Sequence, residues 1–334
     1  MSVGKAALAL GMLVVLSGPV AAQEFYAGKA INVYIGFGSG GGYDLYSRLA
    51  ARHLGNHIPG NPRLVPQNMP GAGGLKVVNF MFNIPPKDGT ALAMPSDGLV
   101  LEQVLEGAAA GLEYDAAKLN WVGRIASSTT IYVTWHTSPT KTFEDARRRE
   151  TALGSSGAGI TVYMPKALNR LAGTQFKLIT GYQGSNEVLL AMERGEVEGA
   201  YSLYSDFKAR KGDWLKDGKV NVLFFIGGER IADYPDVPLA SDTGRTQDDR
   251  DILRLLSAGD IGRALFTTPG VPTDRVAVLR RAFAAMLADP AFKADADKAK
   301  LDLDPMAGED LQKVVVEMVQ FPKHLIEKAR AARE

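Results

Sequence analysis

The sequence contains no cysteine, so no disulfide can brace the fold and cohesion must come from burial of apolar side chains. It also lacks a charge excess. Lys and Arg number 38 against 37 Asp and Glu, a formal net charge of +1, which leaves none of the electrostatic footprint of a nucleic-acid binder. Short runs such as Arg147-Arg148-Arg149 read as solvated helix face. Beyond the N-terminus no apolar stretch approaches the ~20 residues that a spanning helix needs. Catalytic and metal signatures are missing too. There is no HExxH, no Walker lysine after a glycine loop, and the histidines His53, His57, His136 and His324 show no ligand spacing. No cofactor and no metal are therefore expected. His53 reads as a helix residue near the core. Asp242-Thr243-Gly244 has no second copy of the triplet that an aspartic protease would require, and reads as an acidic turn.

The N-terminus carries charge, then an apolar run, then small residues: Lys5, Ala6 to Leu16, a break at Gly18 and Pro19, and Val20-Ala21-Ala22. That order predicts a secretory signal over 1–22, cleaved near Ala22, and hence a periplasmic protein. No cysteine follows to carry a lipid anchor, so the mature chain is expected to diffuse freely, as a monomer. The remaining length of about 310 residues suffices for two lobes, each with its own core.

Strand-length apolar segments alternate with amphipathic ones, the pattern of an α/β protein with largely parallel sheets. Ile31 to Phe37 is the first expected strand. The glycine loop Gly38 to Gly42 follows, and Asp44 opens a helix in which Leu45, Leu49 and Leu54 recur at helical spacing. The same device repeats with strand Leu64 to Gln67, loop Met69 to Gly74, and a helix from Leu75 to Phe82. Ala91 to Met94 reads as a third strand, ahead of helix Leu99 to Leu105.

The pattern restarts near Arg124, with strand Ile131 to Trp135, a helix capped at Thr142 with Asp145 three residues on, and the loop Gly154 to Gly159. Strands Lys177 to Thr180, Gly199 to Leu203 and Val220 to Ile226 follow, with helix Asn186 to Arg194 among them. Residues 233–251 read as an acidic loop or linker. Strand Arg263 to Thr267 precedes a helix capped by Thr273, and a last helix from Leu311 is expected to kink at Pro322. These segments predict lobe 1 over 23–124 and 258–334 and lobe 2 over 125–257.

A glycine loop leading from strand to helix presents backbone N–H groups at the positive end of the helix dipole, and so forms a ready anion site. Two such loops occur on consecutive units. Gly36, Gly38 and Gly41 also fit a dinucleotide fingerprint, but a ribose-binding acid should stand about 20 residues on. Between Asp44 and Asp88 there is no Asp or Glu. A nucleotide site is disfavoured.

The string Phe37-Gly38-Ser39-Gly40-Gly41-Gly42-Tyr43-Asp44, then Asn68-Met69-Pro70-Gly71-Ala72-Gly73-Gly74, then Lys87-Asp88-Gly89-Thr90, resembles the periplasmic receptors of tripartite tricarboxylate transporters, the Bug or TctC family. Gly154-Ser155-Ser156-Gly157, Gly181 to Ser185, Gly195-Glu196-Val197 and Tyr234 to Pro238 agree in order, so the resemblance spans nearly the whole mature chain. It implies a type II periplasmic binding fold: two α/β lobes that close on a ligand carboxylate through backbone amides and ordered water. Carried over by motif, Phe37, Ser39, Gly40, Gly41, Ala72 and Gly73 line the first lobe, with Ser96 beside them. Ser155, Ser156, Tyr182, Tyr201 and Ser202 close over the other end.

Three departures bear on the ligand. The family commonly has Pro-Pro at Gly38-Ser39, Arg at Met69 and Phe-Asp at Tyr201-Ser202. Ser202 cannot supply the charge that would meet an amino group, so a plain mono- or dicarboxylate is expected. Tyr43, Tyr182 and Tyr201 put aromatic acids among the candidates. The expected function is capture of such an acid and its delivery to integral-membrane permease subunits, without catalysis. Two alternatives are an exported α/β hydrolase acting through Ser155 or Ser156, and a ligand sensor for a membrane histidine kinase.

Overall fold

The computed structural model describes residues 25–107, 111–155, 160–182, 185–258 and 261–333. The expected leader, Ser156 with its loop to Gly159, and Gln183-Gly184 lie outside the described residues. Strand β1 (Ala30–Ile35) alternates in burial, with Ile31, Val33 and Ile35 inside, as a strand fully covered on one face only should. It pairs in parallel with β2 (Arg63–Asn68) and β3 (Ala91–Met94). The register sets Ile35 level with both Asn68 and Met94. All three strands therefore end together, and the segments that follow them emerge at one edge.

Strand β4 (Asn120–Arg124) belongs to the same sheet, and 125–129 carry the chain across to a second one. That sheet holds β5 (Thr130–Trp135), β6 (Thr151–Gly154), β7 (Phe176–Ile179), β8 (Gly199–Leu203) and β9 (Val220–Ile226), in the order β7-β6-β8-β5-β9. The chain then returns to the first sheet as β10 (Ala264–Thr267) and β11 (Met306–Ala307), which completes the order β11-β4-β10-β3-β1-β2. The result is two α/β lobes.

The sheets are less uniformly parallel than the sequence pattern predicts. β5 runs against both β8 and β9, and β10 runs against both β3 and β4. Each is a strand entered directly from the other lobe. A strand that starts at the edge facing the other sheet must run away from it, and the two-residue β11, which follows a helix instead, also runs against β4. The two crossings pair with each other: Ile125 N donates to Arg263 O at 2.9 Å and Arg263 N to Ala126 O at 2.8 Å. Gly262 has φ +66°, and a Cβ there would run into the Ala126 carbonyl, so the close approach of the crossings requires glycine.

The helix expected at Asp44 spans Gly42–His53 and buries Tyr46, Leu49 and Ala50. Thr142 caps helix Phe143–Arg148 through a reciprocal capping box with Asp145. Other expectations are corrected. The acidic stretch 233–251 runs into a helix, Gln247–Ala258, whose Ile252, Leu253, Leu255 and Leu256 are buried. Thr273 is the first residue of helix Thr273–Ala288, entered from Pro272 with no side-chain cap. Pro322 does not kink one helix but separates two, Gly308–Val319 and Lys323–Arg333, and its carbonyl accepts from Leu325 N and Ile326 N. The final helix packs on helices Ile160–Leu171 and Gln247–Ala258 and bonds the end of helix Leu99–Glu106 through Arg330 and Arg333. Among the described residues no helix is long and apolar enough to cross a membrane.

Candidate functional site

The shared end of β1, β2 and β3 gathers three loops. A Cβ at Gly36 would press on Val77 Cγ1 at 2.9 Å and lie 3.3 Å from Gly74 Cα, so the first and second loops touch there. Around Gly74 (φ +98°) the nearest neighbours are Ser96, whose Cβ would lie 3.2 Å from an added Cβ, and the Phe37 ring at 3.5 Å. Phe37, Gly74 and Ser96, one from each loop, meet at this point. The Phe37 ring stacks on Tyr43 with centroids 4.1 Å apart and planes at 11°. The Tyr43 hydroxyl accepts from the Asp97 amide at 3.1 Å. Burial pushes the Tyr43 phenol far above its ordinary range, so it stays neutral.

Asp44 and Asn68 hold the first loop in shape. Asp44 Oδ2 accepts from Gly40 N at 2.9 Å, while Oδ1 accepts from Arg48 Nε at 2.9 Å and Asn68 Nδ2 at 2.8 Å. Asn68 Nδ2 also donates to Phe37 O at 2.9 Å, and Asn68 Oδ1 accepts from Arg48 Nη2 and from Ser39 Oγ. Burial raises the Asp44 pKa, but the hydrogen bonds from Arg48, Gly40 and Asn68 outweigh it and hold the value at about 2. One expectation changes as a result. The Gly40 amide is committed to Asp44 and is not a ligand donor in this conformation. Gly38, Ser39, Gly41, Gly42 and Ala72 are exposed, and Ala72 takes φ +46°.

The second-lobe candidates are more dispersed. Ser155 is fully buried, with Oγ bonded to Thr161 Oγ1 at 2.9 Å and to Thr161 O at 3.3 Å, while its amide donates to Ile179 O. Tyr182 lines a small cavity of about 220 Å³ with Glu187, Leu190 and Arg194, none of them from the first lobe. Tyr201 and Ser202 are adjacent in β8 and so point to opposite faces of the sheet. Tyr201 is buried beside Tyr132, ring centroids 6.0 Å apart, in the core that includes Phe224. Ser202 is buried level with Ile131, and its Oγ has no hydrogen-bond partner among the described residues.

Three residues at the site were not anticipated from sequence. Arg263, 8% exposed, lies with its guanidinium 4.1 Å from the Tyr43 ring centroid. Its Nη1 donates to Asp97 Oδ2 at 3.2 Å and to Ser128 Oγ at 3.0 Å, and Ser128 Oγ donates on to Asp97 Oδ2 at 3.0 Å. An added Cβ at Gly42 would stand 3.9 Å from Arg263 Nε and Nη2. The only sequence signal was a lone arginine opening an otherwise apolar strand. A larger cavity, about 680 Å³, opens between the lobes beside the crossings, lined among others by Tyr46, Ser127, Thr129, Tyr204, Asp302 and Phe321. None of the expected site residues among the described residues lines it. Among the described residues no group of three or more His, Asp or Glu is placed to hold a metal ion.

Two α/β lobes joined by paired crossings, with loops gathered where the strands of one sheet end, define the fold of a periplasmic solute-binding protein. The chain belongs to the tripartite tricarboxylate transporter receptor family, TctC, whose family model matches residues 48–330. Receptors of this family are periplasmic. A TctC solute-binding protein from Polaromonas, solved without ligand, is similar with a TM-score of 0.70 at 21% identity, over 91% of this chain and 99% of that one. MatC from Rhodopseudomonas palustris with bound malate matches at TM-score 0.58 and 20% identity, over 92% and 99%. An R. palustris protein with adipate matches at 0.57 and 19%, over 90% and 97%. No curated protein matches the chain in sequence.

Proposed function

We propose that the mature chain, released near Ala22, captures a small organic mono- or dicarboxylate between its lobes and delivers it to a tripartite tricarboxylate-type membrane permease. The observation that carries this reading is the meeting of Phe37, Gly74 and Ser96 at the common end of three parallel strands, with a glycine loop entering a helix beside them. In such a position backbone N–H groups and the helix dipole favour an anion. Structural neighbours with malate and adipate agree with that chemistry. Three or four hydrogen bonds of ~1.5–3 kcal/mol each to a charged group reach the ~8 kcal/mol of a micromolar complex before entropic costs. Residues 125–257 form the lobe that closes over the ligand. The Ser155 hydroxyl is turned inward onto Thr161, which supports binding over hydrolysis.

The test is thermal stabilisation of the purified mature chain by a panel of aliphatic and aromatic carboxylates, repeated with Gly41→Val. A Cβ at Gly41 meets nothing closer than Gly38 O at 4.0 Å, and its backbone is extended (φ −81°), so the variant should fold. The native chain is expected to be stabilised by at least one acid and the variant by none. Equal stabilisation of both would remove the first glycine loop from the site.

A further inference from the structure

Resting on the reading above, we infer that the C-terminal helix Lys323–Arg333 is a strap across the two lobes, and that Arg330 and Arg333 on it hold the cleft open until closure on a ligand releases them. The chain changes lobe a third time to make this strap. Helix Gly308–Val319 packs on β4 and on helix Leu99–Glu106, both in the first lobe, whereas Lys323–Arg333 packs chiefly on Ile160–Leu171 and Gln247–Ala258, both in the second. Only Gln320, Phe321 and Pro322 separate the two helices.

The strap is attached differently at its two sides. Along the helix Leu325, Ala329 and Ala332 form a buried stripe at spacings of four and three. On the second lobe its polar contacts add to that packing: Lys328 Nζ donates to Asp248 Oδ2 at 2.7 Å, and Arg170 donates to Ala331 O. Its hydrogen bonds to the first lobe come from the last turn alone, where Arg330 Nε donates to Leu105 O and Arg333 Nη2 to Glu106 Oε1. The Arg333 and Glu106 side chains are 31% and 40% exposed, so water can replace each partner and the pair separates at little cost. A buried stripe does not separate so readily.

Gly38, Ser39, Gly41 and Gly42 are exposed, so the second lobe does not cover the first glycine loop in this conformation. The two arginine contacts therefore belong to an open form. Closure turns the second lobe about 125–129 and 261–263, and a strap buried against that lobe travels with it. Leu105 and Glu106 stay behind, because helix Leu99–Glu106 leaves the loop that carries Ser96 and belongs to the first lobe. The arginine contacts are thus the ones that closure breaks. They bias the equilibrium toward the open form, and ligand binding has to overcome that bias.

The test measures lobe separation and affinity in the same variants. The chain has no cysteine, so Lys76→Cys and Thr180→Cys provide one pair of label sites. Both positions are exposed, Lys76 just beyond the second glycine loop and Thr180 just beyond β7, one in each lobe. Without ligand, the Arg330→Ala/Arg333→Ala chain is expected to show a shorter distance between spin labels than the native chain. With whichever panel acid most stabilises the native chain, calorimetry is expected to show binding tightened about three- to fivefold. Glu106→Gln, which leaves the C-terminal helix untouched, should act in the same direction and serves if the double variant does not fold. Added to Arg333→Ala it should have no further effect, because its partner is already gone. An unchanged or longer distance overturns the inference, as does tightening absent from a chain that binds an acid. The distance needs no ligand. If the native chain binds an acid and the distance does not shorten, the strap falls and carboxylate capture stands; if the distance shortens and no acid binds, capture falls and the strap stands.

Discussion

Gly40 donates its amide inward to Asp44 because the helix begins at Gly42, two residues before the Asp44 start that sequence suggests. With Asp44 the third residue of that helix, its carboxylate folds back on the loop and meets Arg48 and Asn68 as well. The loop's glycines and the acid beside it were readable, but which amides are consumed depends on that two-residue difference. Asn68 gave no signal beyond its place in a motif, although its side chain joins the first loop to the end of β2. The folded Asp44 pKa of about 2 lies below the ordinary 3.8, so its contribution to stability is full above 3.8 and is lost as pH falls toward 2. Urea unfolding should show Asp44→Asn less stable than the native chain by on the order of 1–2 kcal/mol at neutral pH. That gap should close as the pH is lowered through about 3.

At the scale of elements, capping boxes were legible when recognised. Thr142 and Asp145 form one as expected, and Thr246 with Asp249 forms another: Asp249 N donates to Thr246 Oγ1 at 3.1 Å and Thr246 N to Asp249 Oδ2 at 2.9 Å. The second went unread because Asp248, Asp249, Arg250 and Asp251 make the segment look like an acidic loop, although Ile252, Leu253, Leu255 and Leu256 follow at core spacing. Replacing Thr246 by Ala should cost about 1 kcal/mol in a denaturant titration, since the helix loses one of its capped N–H groups. The antiparallel strands β5 and β10 were not legible for a different reason. Alternation and branching mark a strand, but its direction follows from which edge the chain enters.

For the whole molecule, two lobes and the gathering of glycine loops at one sheet edge followed from repeated strand, glycine loop and helix units. The second face of the cleft did not. Motif transfer placed Tyr201 and Ser202 together over the ligand, whereas alternation along β8 sends Tyr201 into the core with Tyr132 and Ser202 to the opposite face. Arg263 was passed over for a similar reason. It lies 166 residues beyond Asp97 and farther still from Tyr43, and only the return of the chain to the first sheet brings the three together. The most direct test of carboxylate capture is native mass spectrometry of the mature chain equilibrated with the acid panel. The account predicts a one-to-one complex with at least one acid, absent from the corresponding neutral amide and lost in Gly41→Val. A folded native chain that retains no acid from the panel, or that retains acid and amide equally, would contradict it.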